Sequence, residues 1–78
     1  MIYDKLTAIM TERLGVSGQD IAPDTSLTRD LAADSLDLYE LMMALEEEFH
    51  VEIPQELAND IEYVEDIVKV LKELGVED

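Results

Sequence analysis

Ala33-Asp34-Ser35-Leu36-Asp37, continued by Leu38-Tyr39-Glu40-Leu41-Met42-Met43-Ala44-Leu45-Glu46-Glu47-Glu48-Phe49, carries one uninterrupted helical pattern with its own start signal. Asp34 suits an N-cap, because its carboxylate can accept from a free amide one turn on, and Asp37 three positions later completes a capping-box-like pair. The spacing predicts a helix over 35–49 with Ser35 as its first residue. A side chain there projects from the positive end of the helix dipole, where an attached phosphate is tolerated. Ser35, flanked by Asp34 and Leu36, is therefore the candidate site of a modification.

The two faces of this helix differ. At the α-helical repeat, Leu38, Met42, Leu45 and Phe49 share one side with Leu41 at its edge, which predicts the core stripe. Leu36, Glu40, Met43 and Glu47 share roughly the opposite side, so two large apolar residues stand among carboxylates where solvent is expected. Singly exposed apolar residues are ordinary. An apolar pair ringed by acids is also the composition of a transient docking surface, in which charge sets the encounter rate and Leu36 and Met43 supply contact, with Asp37 beside them.

Working outward, Leu6, Ile9, Met10, Arg13 and Leu14 recur at helical spacing from about Tyr3, with Gly15 as C-terminal cap, and predict a first helix. From Val16 to Ala33 the period lapses among Ser17-Gly18 and Pro23-Asp24-Thr25-Ser26, which predicts a long connection with one helical turn, pinned by Val16, Ile21, Leu27 and Leu31. His50 to Pro54 turn the chain into a short third helix over about 55–60, with Leu57, Ala58 and Ile61 facing inward. A fourth helix over about 64–74 has Val64, Ile67, Val68, Leu71 and Leu74 on one face, Glu65 and Asp66 in its first turn, Lys69 and Lys72 later, and Gly75 beyond. The expected fold is all-α: a small four-helix bundle of three longer helices and one short one, with a long loop between helices one and two. Residues 1–78 are read as a single domain.

Twenty acidic residues oppose five basic ones, for a formal net charge of -15, and no Lys or Arg falls between Arg29 and Lys69. Such a field repels nucleic acid and anionic lipid and favours partners with basic surface patches. Acidic faces also simply keep small proteins in solution. There is no Cys, so thiol chemistry must come from an added group. With no secretory pattern at the start and no apolar run of membrane-spanning length, a cytoplasmic location without membrane insertion is expected. Catalysis by Ser35 itself would need a base within reach, and the lone His50 belongs to the other end of the same helix. The acids do not follow EF-hand spacing, so no metal site is expected.

Asp30-Leu31-Ala32-Ala33-Asp34-Ser35-Leu36-Asp37, the Glu-rich run Glu40 to Phe49, and Ile53-Pro54 together resemble the acyl carrier proteins, most of all the discrete ones of fatty acid synthesis. The resemblance covers essentially the whole chain. It implies 4'-phosphopantetheine, taken from coenzyme A and joined to Ser35 through a phosphodiester, with growing acyl groups carried as thioesters on its thiol. It also implies that the partners are a phosphopantetheinyl transferase and fatty acid synthesis enzymes, that the second helix is the recognition element, and that the protein is a monomeric carrier rather than an enzyme. An acyl chain would then fold back against Met42, Leu45, Phe49, Ile53, Ala58, Ile61 and Ile67. A carrier for a polyketide or other specialised pathway is the alternative within that class, and a noncatalytic acidic interaction module switched by phosphate on Ser35 is the alternative outside it. Ala32 stands where that family usually has Gly, which predicts loss of a positive φ before Ser35. Glu62-Tyr63 stand where Thr often caps the last helix, a change that can cost the helix its cap.

Overall fold

The first helix begins with a donor problem. Met1 offers no side-chain oxygen, and the amide of Ile2 instead donates to Asp78 Oδ1 at 2.9 Å, so the far end of the chain caps its beginning. In the computed structural model, which describes residues 1–78, α1 then runs Ile2–Leu14, burying Ile2, Leu6 and Met10 at four-residue intervals. Gly15 ends it in the left-handed region (φ 68°), with its N–H on the Thr11 carbonyl. The remaining helices are α2 (Ser35–Phe49), α3 (Gln55–Ala58) and α4 (Val64–Glu73). Strand structure is confined to one isolated antiparallel bridge between Ser26 and Tyr63, so the fold is the expected all-helical bundle of four helices.

The second helix occupies the expected residues, and its cap is built as its sequence implies. Asp34 Oδ1 accepts from the Asp37 amide at 2.9 Å, and Asp37 Oδ2 accepts from the Asp34 amide at 3.1 Å. The third helix is shorter than the pattern suggests, a single turn of four residues that buries none of them completely. Leu57, Ala58 and Ile61 are half-buried. The fourth ends one residue before Leu74.

One core joins α1, α2 and α4: Leu6 and Met10, Leu41 and Leu45, Ile67 and Leu71 are all fully buried and packed together. The stripe on α2 is rotated from its expected centre. Leu41, placed at the edge by periodicity, is fully buried, whereas Leu38 and Met42 are only half-buried. The cause is the unequal cover: α1 lies along the Leu41–Leu45 side, and the other side is left to the single turn of α3.

The long connection between α1 and α2 holds one 3-10 turn, Gly18–Asp20, and is pinned twice. Ile21 and Leu27 enter the core, with Val16 and Leu31 packed at its margin. Its backbone is also bonded to the chain just before and at the start of α4: Leu27 donates to the Glu62 carbonyl at 2.9 Å, Val64 to Thr25 at 3.1 Å, and Glu65 to Pro23 at 2.9 Å. Ser26 is 1% exposed, and its hydroxyl donates to Glu62 Oε2 at 2.6 Å while accepting from the Arg29 amide at 3.1 Å. A buried hydroxyl with both roles filled carries no desolvation debt.

Two expectations about backbone are corrected here. Ala32 does adopt positive φ, at 57°, despite its Cβ, so the turn into Ser35 keeps the conformation that Gly would favour. The last helix is also capped. In place of an N-terminal hydroxyl, the Asp66 carboxylate in its first turn accepts from the amides of Glu62 at 3.0 Å and Tyr63 at 2.9 Å.

Candidate functional site

The left-handed Ala32 reverses the chain, buried Ala33 anchors it by donating to the Leu27 carbonyl at 3.0 Å, and Asp34 is extended at the helix start. Ser35 emerges as the first residue of α2 and is exposed. Because the Asp34–Asp37 pair does the capping, the Ser35 hydroxyl is left out of the cap and free to react. Amides of the first helical turn lie beside it, with the partial positive charge of the helix end.

Ser35, Tyr39 and Met43, each one turn from the next, form a ridge along α2 with a groove on either side. The groove toward α3 has a volume of about 460 Å³ and starts at Ser35. Leu38, Met42 and Glu46 form its α2 wall, and Ile53, Gln55, Ala58, Asn59 and Ile61 the other. Four of the seven residues expected along an acyl chain, Met42, Ile53, Ala58 and Ile61, line this space. Leu45 and Ile67 lie fully buried in the core, and Phe49 is half-buried against it. Glu46 is not a loose charge in the groove: its Oε2 accepts from the Ile53 amide at 2.7 Å and fixes the turn out of α2.

The groove on the other side is shallower, about 410 Å³, and is bounded by Leu36, Glu40, Met43 and Glu47 of α2 together with Arg13 of α1. Leu36 is 63% and Met43 51% exposed. The fifth expected contact residue, Asp37, is half-buried, with its carboxylate engaged in the helix cap. Arg13 and Arg29 have local partners, Glu12 at 3.8 Å and the Glu62–Tyr63 pair respectively, and both contacts are solvent-exposed and weak.

Sequence reasoning missed Tyr39, Gln55 and Asn59. Tyr39 is 63% exposed and forms a wall of both grooves. Its signal was its spacing, four residues after Ser35 and four before Met43. Gln55 and Asn59 gave no signal of their own, since their place on the groove depends on how α3 sits against α2.

His50 caps the C-terminal end of α2, about 20 Å from Ser35 along a 15-residue helix. No group of three or more His, Cys, Asp or Glu is arranged to hold a metal ion, and no helix is long and apolar enough to cross a membrane.

A helical bundle that offers a serine at a helix start beside an apolar groove is the arrangement of a carrier domain, and comparison with known proteins agrees. The family described as the phosphopantetheine attachment site matches residues 4–71. Over 72 residues the chain is 42% identical to the acyl carrier protein of Helicobacter pylori, spanning 92% of each chain. It is 43% identical over 72 residues to that of Clostridium acetobutylicum, spanning 92% of this chain and 94% of that one. The chain belongs to the phosphopantetheine-binding acyl carrier protein family, whose members carry acyl groups rather than catalyse, and its cofactor is covalently attached 4'-phosphopantetheine.

Proposed function

We propose that Ser35 is the attachment residue and that the chain carries growing fatty acyl groups as thioesters to the enzymes of fatty acid synthesis. The observation that carries this reading is the exposed Ser35 at the first position of α2, released from capping by Asp34 and Asp37 and opening directly onto the α2–α3 groove. In the attachment step the Ser35 hydroxyl gives up its proton to a base of the transferase and displaces the nucleotide of coenzyme A, keeping the phosphate as a phosphodiester. When bound, the cofactor supplies a terminal thiol for acyl transfer, which a chain without Cys cannot supply itself. Asp34 and Asp37 hold the helix start in place. Leu36 and Met43 offer apolar contact, and Glu40 and Glu47 draw in the basic patches of the transferase and the synthesis enzymes.

Met42, Ile53, Ala58 and Ile61 form the first walls an acyl chain meets, with Leu45, Phe49 and Ile67 behind them. Because α3 is a single turn with no completely buried residue, it can yield to a long chain without breaking the core of α1, α2 and α4. The protein acts as a monomer in the cytoplasm, as a substrate of its partners rather than as an enzyme.

The test is intact mass after incubation with coenzyme A, Mg2+ and a broad-specificity phosphopantetheinyl transferase, beside Ser35→Ala. The expected result is one phosphopantetheine added to the parent chain and none to the variant. No addition to a chain shown folded by circular dichroism, or addition to the variant, overturns the assignment.

A further inference from the structure

In a chain with 20 acids, the wall of the α2–α3 groove opposite Tyr39 carries two uncharged carboxamides. Asn59 is the only Asn of the protein, and Gln55 is one of two Gln. Both are exposed, both line the groove, and they are joined: Gln55 Nε2 donates to Asn59 Oδ1 at 2.9 Å across one turn. That bond uses one hydrogen of Gln55 and one lone pair of Asn59. It leaves the Gln55 carbonyl oxygen as an acceptor and the Asn59 amino group as a donor on residues that line the groove. A trans secondary amide points its C=O and N–H to opposite sides, so an acceptor and a donor at the rim suit the N–H of one secondary amide and the C=O of another. A carboxylate pair at the same places would offer acceptors only.

We infer that Gln55 and Asn59 form a docking rim for the amide segments of the arm on Ser35, holding it along the groove between Tyr39 and α3. This rests on the attachment reading above. The arm carries two secondary amides between its phosphate and its thiol, and the groove that these carboxamides border begins at the attachment residue. The rim has two consequences. It positions the thioester end over the apolar walls Met42 and Ile61 instead of in bulk water. It also means that a partner must break about one or two amide hydrogen bonds to draw the arm out, a modest hold suited to repeated release.

The side chains themselves report on this. Gln19, Gln55 and Asn59 are the only carboxamides in the chain, and Gln19 lies in the exposed 3-10 turn between α1 and α2, away from the groove. In 15N-labelled full-length protein whose loading is verified by intact mass, the side-chain NH2 resonances of Gln55 and Asn59 are expected to move on attachment, while those of Gln19 stay. A second reading uses the absence of Cys, which makes the arm's thiol the only one present. Its alkylation by iodoacetamide, an uncharged reagent, is expected to be roughly two- to tenfold faster in Gln55→Ala/Asn59→Ala, the factor that corresponds to losing about one hydrogen bond. Both substitutions leave the charge unchanged, so the thiol ionises in the same field, and circular dichroism checks that α3 survives. A merely structural pair stapling α3 would give unmoved resonances on loading and equal alkylation rates, and either result overturns the rim. A folded chain that takes up no arm overturns the attachment reading itself, and the rim with it.

Discussion

The flank of α2 that faces α1 and the flank that faces α3 are both built from large apolar side chains, and they end in different states. Leu41 and Leu45 are closed off completely; Leu38 and Met42, three residues before Leu41 and Leu45 respectively, stay half open along a groove. The wall residues are equally apolar, so the difference lies in the cover. A 13-residue α1 brings Ile2, Leu6 and Met10 to one flank, and a four-residue α3 brings no fully buried side chain to the other. Burying a Leu or Met side chain contributes about 1.5–3 kcal/mol, and the flank toward α3 forgoes part of that on each wall residue. The imbalance supports the proposed carrier role: the closed flank holds the fold, and the open flank is the side on which the proposed cargo would lie.

The largest expected effect tests that division directly. Leu45→Ala should cost about 3 kcal/mol, through lost burial and a cavity that the close-packed core cannot fill, whereas Met42→Ala on the groove wall should cost about 1 kcal/mol or less. Urea denaturation of both variants checks this, and equal losses would mean that the groove closes in solution. Next comes the latch that ties the long connection to α4. Ser26→Ala removes the 2.6 Å donor to Glu62 and the acceptor of the Arg29 amide inside a nearly sealed site, and should cost about 1–3 kcal/mol. Pairing it with Glu62→Gln in a double-mutant cycle should show the two residues coupled, since each serves the other.

The third effect concerns recognition. Glu40→Lys/Glu47→Lys, on the groove bounded by Leu36 and Met43, should weaken binding to a transferase roughly tenfold at low salt, with a gap that narrows as salt screens the charges. The same reversal at Glu48, which lies on neither groove, should change affinity far less. Equal effects at all three positions would point to a diffuse field rather than a docking face.

Most of the fold is legible in the sequence because its signals are local. Asp34 and Asp37, Gly15, and the acids and lysines of α4 each mark a helix end by chemistry acting within one turn, and the bounds of α2 follow from them. What periodicity cannot show is which neighbour covers which side. It centred the core stripe of α2 near Leu38 and Met42, because the pattern of apolar residues is the same whether the covering helix is long or a single turn. The site divides the same way. Ser35 is visible from its flanking residues. Tyr39 is visible only through its spacing from Ser35 and Met43, Gln55 and Asn59 reach the groove only when α3 folds against α2, and Asp66 shows that a cap lost in one residue type can be recovered from the other end of the capping box.

The smallest expected effect lies in the turn that delivers Ser35. Ala32 sits at φ 57°, a conformation that costs an L-residue with a Cβ about 1–2 kcal/mol. Gly at this position would escape that cost but lose more conformational freedom on folding, an offset of about 0.4–1 kcal/mol. Ala32 is exposed, so its methyl contributes little packing that a substitution could forfeit. Ala32→Gly should therefore stabilise the protein by about 0.5 kcal/mol net, since relief of the strain exceeds the entropy loss. For a domain of this size that corresponds to a rise of about 2–4 °C in Tm, measurable by thermal denaturation. A fall in Tm would mean that the turn relaxes away from positive φ in solution, and that the position of Ser35 is held by Ala33 and the Asp34–Asp37 pair alone. Phosphopantetheinylation rates should be equal in parent and variant if the turn already has the conformation Gly would choose.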